Sequence, residues 1–271
     1  MKSITEGQPT QQADPPRRFE RPPVWKFMLY LLALVFFLWS LKGSGFSFTD
    51  LMRGIPNMVR LIREMTPPDF NRLASISKAL LQTFQMGLVG AVIGIGISFF
   101  LAVLASRRNT PHPLLYHMTR FIIAFCRSVP DLVWAVMFVA SVGLGVFAGT
   151  LTIIVDTIGF CGRFFAEAIE EVDQGPEEAL TTIGADRLDI VLAAIVPAAM
   201  PSFVNSSLFA LEKAVRSSVV LGLVGAGGIG IELKVAMDMF QYQEAATIIL
   251  CIFLLVIVVE QFSTYAGRKF M

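Results

Sequence analysis

"VGAGGIG", residues 224–230, is the stretch whose reading decides the fold. Gly225, Gly227 and Gly230 have the G-x-G-x-x-G spacing of a dinucleotide-binding turn. "SSVVLGLV" before it passes for a strand, "IELKVAMDMF" after it for a helix, and Glu244 stands near the place of a ribose-binding acid, about 20 residues on. Read locally, this is the start of an α/β nucleotide-binding domain. The rest of the chain decides against that.

The 271 residues are 55% hydrophobic and only 16% charged, with mean hydropathy +0.66. A soluble domain covers its surface with about 25% charged residues, so this chain needs a lipid environment. The formal net charge of +1 points to no nucleic-acid surface. Cys126, Cys161 and Cys251 lie in apolar runs, and the histidines are His112 and His117 alone. Neither a disulfide framework nor a metal site follows from that pattern, and no nucleophile–base–acid set suggests an enzyme.

A spanning helix needs about 20 mostly apolar residues. Runs of this kind occupy residues 26–46, 80–106, 147–169 and 245–267, with another from about 190 to 224. A less regular one, 114–146, is interrupted by "RSVPD" at 127–131. The expectation is an all-α integral membrane protein of about six transmembrane helices. No second βαβ unit exists, and Glu244 leads straight into a span, so NAD binding is rejected. The glycines of 224–230 instead break a helix and let backbones pack. Gly90 and Gly94 form a G-x-x-x-G pair suited to close helix contact.

The polar, Pro- and Gln-rich residues 1–25 read as a disordered cytosolic tail. Residues 26–77 form a first span and a periplasmic segment containing the amphipathic "DLMRGIPNMVRLIREM", and 78–267 form the core. Arg17, Arg18, Arg21 and Lys26, then Arg107 and Arg108, then Arg268 and Lys269, flank spans on one side, which puts both termini in the cytoplasm. One observation runs against this: residues 42–78 hold six Lys or Arg and would lie outside.

The informative segment is "GPEEALTTIGADRLDIVLAAIVP", 175–197. Pro176 suits the start of a helix, where Glu177 and Glu178 complement the dipole. Gly184 is placed to end that helix in the left-handed conformation, and Asp186 to cap the next. So short a helix is unstable alone, and Ala179, Leu180 and Ile183 need a surface to pack on. This segment, within about 170–190, resembles the EAA loop of binding-protein-dependent ABC transporter permeases. Glu178, Ala179, Leu180, Gly184 and Pro197 hold the pattern, with Leu where the family has a second Ala. "RSVPDLVWAVMFVASVGLG" and "KAVRSSVVLGLVGAGGIG" are most similar to permeases for phosphonate and related phosphorus oxyanions.

That resemblance implies the type I ABC importer fold in an inner membrane, as a homodimer with two ABC ATPase subunits and a periplasmic substrate-binding protein. It implies that Glu177, Glu178, Ala179, Leu180 and Gly184 couple to the ATPase. No G-x-x-x-x-G-K-[ST] loop occurs, so ATP and Mg belong to the partner ATPase and no cofactor to this chain. Intramembrane charges are costly and mark pathways or pairs. Arg216, Glu212 and Arg127 are the candidates for the translocation pathway of a small anion. Arg163 and Glu167, four apart, read as structural, and Asp156 has no cation nearby in sequence. Phosphite, hypophosphite or another solute such as methionine remains an alternative substrate, and an ATP-independent transporter or channel an alternative class.

Overall fold

The computed structural model describes residues 24–107 and 109–270, all helix, turn or loop, with no strand among them. The proposed tail, residues 1–25, lies outside the described residues up to position 23. The chain divides into two units, residues 1–59 and 60–271.

The first unit contains α1 (Val24–Gly43), a 20-residue apolar helix with no residue buried against protein. It also contains most of α2 (Phe48–Glu64), discussed below. The second unit is a helical bundle. Its spans are α3 (Leu73–Leu104), α6 (Val146–Glu171) and α11 (Tyr242–Phe270). A further span, Arg187–Leu223, is built from α8 (Arg187–Ile190), a π turn (Val191–Ile195) and α9 (Val196–Leu223). α4 (Pro113–Ser128) and α5 (Asp131–Val142) meet at 91°; counted together as one broken span, they bring the candidate spans, α1 included, to six. Two short helices, α7 (Gly175–Thr182) and α10 (Ile229–Asp238), complete the chain.

Each departure from periodic helix has a local cause. Val129 and Pro130 are extended between α4 and α5, because a residue before proline is pushed out of the helical region. The π turn precedes Pro197, whose ring would press on the Ala193 carbonyl in a regular helix. The widened turn, with the Val196 N–H donating to the Val191 carbonyl, accommodates it. α3 begins seven residues before the apolar run expected at 80. Ile76 and Ala79 are buried in its first turns, so polar Ser75, Ser77 and Lys78 occupy the other faces of a helix already packed.

The core is organised by α3 and α6. They run parallel, with Gly90 against Ile153 and Gly94 against Thr157. A Cβ added at Gly90 would fall 2.6 Å from Ile153 Cγ2, and one at Gly94 2.5 Å from Thr157 Cβ. The Ser98 hydroxyl donates to the Gly94 carbonyl (2.7 Å) and reaches the Thr157 carbonyl at 3.3 Å. In lipid no hydrophobic effect drives helices together, so backbone proximity and van der Waals contact must supply the attraction.

"VGAGGIG" lies between α9 and α10. The run read as a strand is the last turns of α9, and Gly225, Gly227 and Gly228 all have positive φ. A Cβ on Gly227 would sit 2.7 Å from the Val146 nitrogen, and the Gly145 N–H donates to the Gly225 carbonyl at 3.0 Å. Thr83 of α3 accepts from the Ile229 N–H at 2.7 Å, satisfying a first-turn donor of α10. Glu244 accepts from Arg72, which also reaches Glu232 at 3.4 Å. The turn packs helices.

Gly94→Val should destabilise the bundle by about 1–3 kcal/mol, the usual cost of overpacking. Gly96→Val, where an added Cβ meets nothing within 4 Å, should cost far less. Thermal unfolding of the purified protein in one detergent, both variants side by side, checks this.

Candidate functional site

Two regions carry chemistry beyond packing: the α7 hairpin and a band of charged side chains within the bundle.

α7 starts as the sequence indicates. Pro176 is in its first turn with Glu177 and Glu178. Thr181 and Thr182 hydroxyls donate back to the carbonyls of Glu177 and Glu178, each at 2.8 Å. The helix closes by two reversed bonds, Gly184 N–H to Thr181 carbonyl (3.0 Å) and Ala185 N–H to Leu180 carbonyl (3.1 Å). This is the Schellman arrangement, and it requires the φ of +82° that Gly184 adopts. Asp186 then caps α8, accepting from the Arg187 N–H at 2.8 Å. Gly184 and Asp186 therefore do what their types suggested.

The apolar residues of the hairpin divide in a way the sequence did not indicate. Leu180 and Ala185 pack against the chain's own cluster of Phe165, Ile169, Ile190, Val191 and Ile195. Ala179 and Ile183 are exposed, Ile183 at 78%, and so is Leu188 at 69%. Leu180 is thus an anchor holding α7 to the bundle, while Ala179 and Ile183 are the apolar groups left for another surface.

On the α7 side of the bundle, Glu170 gathers three elements. Its carboxylate accepts from Arg120 of α4 (2.8 Å) and from the Arg107 backbone N–H (3.1 Å). Arg120 also donates to the Ala105 carbonyl at 2.9 Å, covering an orphan acceptor at the C-terminal end of α3. Sequence reading missed this clamp, because its members are 50 to 63 residues apart.

Deeper in, Asp156 of α6 has its partner in Lys213 of α9, with Nζ 2.8 Å from Oδ1. The ammonium also lies 5.4 Å from the Phe160 ring centroid, and Phe160 stacks on Phe209. Arg163 pairs with Glu167 at 2.6 Å, as its spacing indicated. Arg216 pairs with Glu212 at the same spacing; the acid is 18% exposed and the guanidinium side chain 55%.

Arg127 is different. Its side chain makes no hydrogen bond or ion pair among the described residues, and Asp131, four residues on, instead accepts from the Leu132 N–H in the first turn of α5. Arg127 lines a cavity of about 430 Å³ with Arg120, Ser128, Arg163 and Glu167. A Cβ on Gly159 would fall 2.8 Å from the Arg127 nitrogen, so Arg127 stands level with Gly159. Eleven residues of α6 separate Gly159 from Glu170, about 16 Å along a helix, which is mid-depth in a bilayer core about 30 Å thick. The cavity wall holds three guanidinium groups and one carboxylate, from Arg120 and Glu167 near the level of Glu170 to Arg127 at mid-depth, where an ion is expensive. Such a surface suits an anion. The described residues include no cluster of three or more His, Cys, Asp or Glu able to hold a metal.

The sequence profile described as "Binding-protein-dependent transport system inner membrane component" matches residues 94–270. The chain belongs to this family. The permease is 39% identical over 222 residues to the phosphite transport system permease protein of Stutzerimonas stutzeri, covering 82% of this chain and 81% of that one. It is 38% identical over 212 residues to the phosphate-import permease protein of Mycolicibacterium smegmatis, covering 78% of this chain and 40% of that one. Its fold matches a chain of the inward-facing MetNI methionine ABC transporter with TM-score 0.63 at 24% identity, over 75% of this chain and 99% of that chain. The fold is thus that of the type I ABC importer permeases, and the protein is a multi-pass membrane permease.

Asp156→Asn should leave Lys213 unpaired within the membrane and cost about 2–3 kcal/mol. The double variant Asp156→Asn/Lys213→Gln should recover most of that loss, since no lone charge remains. Thermal unfolding of the three proteins in one detergent measures the coupling.

Proposed function

We propose that this permease is the membrane subunit of an ATP-driven importer for phosphonate, phosphite or a related phosphorus oxyanion. Its relatives' names supply the substrate class, and the unpaired Arg127 at mid-depth is the observation in this chain that carries it. The permease works as a homodimer in a bacterial inner membrane, with both termini and α7 in the cytoplasm. Two ABC ATPase subunits bind ATP and Mg, and a periplasmic binding protein delivers the anion. Residues 26–77 form the first span and periplasmic segment, and residues 78–267 the transporting core.

Glu177, Glu178, Ala179 and Ile183 present α7 to a groove of the ATPase, while Leu180 and the Gly184 turn fix α7 to the bundle. Closure of the ATPase pair displaces α7, and the anchor passes that displacement through α8 and the π turn to α9. The spans rock from inward-facing to outward-facing, and the anion enters past guanidinium groups. A planar guanidinium offers paired donors to phosphorus oxygens, which an ammonium cannot match. Arg216, more exposed than its partner Glu212, and Arg127 are the residues assigned this role in the proposal.

Two sets of variants test the reading. Gly184→Leu forces a left-handed backbone on a branched side chain, at about 1–2 kcal/mol, and misdirects α7. Transport by the reconstituted complex should fall at normal membrane levels of the permease, as it should for Glu178→Lys. Unchanged transport by both removes the coupling assignment. For the pathway, Arg216→Lys should transport poorly, and Glu212→Gln/Arg216→Gln should stay inactive although it leaves no lone charge. Full uptake by that double variant makes the pair structural.

A further inference from the structure

α2 is left unexplained by transport. Positions 48, 51, 52, 55, 58, 59 and 62 are all apolar, and at 100° per residue they fall within an arc of about 120°. Asp50, Arg53, Asn57, Arg60 and Glu64 occupy the opposite side, where Arg60 pairs with Glu64 at 2.8 Å. No residue of the helix is buried against protein. An apolar stripe this regular, with none of its residues buried, requires a cover.

The tethers of α2 restrict what that cover is. α1 and α3 are consecutive spans, so residues 44–72 leave and re-enter the membrane at one surface. Four residues, 44–47, join α1 to α2, and fully extended they reach about 14 Å. At the other end, the Asp69 N–H donates to the Gln243 carbonyl at 3.2 Å, and the Asp69 carbonyl accepts from Thr247 Oγ1 at 2.6 Å. Both partners lie in the first two turns of α11, another span. Residues 65–69 therefore hold the C-terminal end of α2 within about 18 Å of that surface. The helix itself is about 26 Å long. Upright, it would carry one end farther out than either tether reaches, so it lies along the membrane.

We infer that α2 is an interfacial helix, its apolar stripe sunk into the headgroup–acyl boundary of the bilayer and its charged side turned to water. The composition is that of such helices: balanced overall, with large apolar side chains on one face and arginines on the other. This placement also accounts for the basic residues that run against the orientation rule. Arg53, Arg60 and Arg63 stand on a helix at headgroup level, where phospholipid phosphates neighbour them, and not in a free loop.

Nitroxide labels report the placement in the full-length chain, with Cys126, Cys161 and Cys251 changed to alanine, in nanodiscs of phosphatidylethanolamine and phosphatidylglycerol. Labels at Ile55, Met58 and Ile62 should collide with oxygen roughly three-fold more, relative to a water-soluble nickel chelate, than labels at Arg53, Asn57 and Glu64, as for helices of this class. Equal nickel access at all six positions places the helix in water and overturns the inference. Loss of both oxygen and nickel access at the apolar positions means that protein, a second copy or another partner, covers them, and also overturns it. Should the cysteine-free chain not fold, benzoylphenylalanine at Ile55 in the otherwise unchanged chain decides the matter. Photolysis should give lipid adducts, and protein adducts alone contradict lipid cover.

Discussion

The approach of α3 to α6 through Gly90 and Gly94 is the contact on which the rest of the permease depends. Both helices are long, apolar and surrounded by lipid, so exclusion of water gives them no reason to associate. Removing side chains at two positions one turn apart lets Ile153 and Thr157 sit against backbone. Everything else is hung on this parallel pair. α4 is clamped to its α7 end through Arg120 and Glu170, α9 is tied to its middle through Lys213 and Asp156, and α10 is capped from α3 by Thr83. Because α3 and α6 are parallel, the span between them must return, and its break at Val129–Pro130 lies where Arg127 reaches mid-depth.

That frame gives the ionised groups distinct work. Lys213–Asp156 joins two spans, Arg163–Glu167 neutralises one helix face, and Arg120–Glu170 closes a helix terminus. In each the charge has a partner and its cost is local. Arg127 alone among these sites has no charged partner among the described residues, and it stands beside a cavity. The α7 hairpin is joined to the same frame. Leu180 and Ala185 pack on the cluster that includes Ile190, Val191 and Ile195, and α7 meets the bundle chiefly through α8 and the π turn.

Most of the fold was legible because a bilayer imposes a coarse rule on sequence: 20 apolar residues stand out at any position. Ends were less legible. α3 starts at Leu73 and not near 80, since Ser75, Ser77 and Lys78 lower local hydropathy without interrupting the helix. The Gly184 turn was readable because its cause is local, one residue able to adopt positive φ. Lys213 as partner of Asp156 was not, being 57 residues away on a different span. By sign alone, Arg127, Arg163 and Arg216 were equally available to it. Leu180 shows the opposite failure. It sits in the motif, yet it faces inward, which only the position of α7 against α8 and the π turn determines.

Reconstitution addresses the central claim most directly. Proteoliposomes holding this permease with its ATPase subunits, supplied with binding protein, should accumulate radiolabelled phosphite or phosphonate only when ATP is present on the α7 side. Accumulation of equal rate without ATP, or by the permease without the ATPase subunits, would contradict the account and make the chain a transporter of another class.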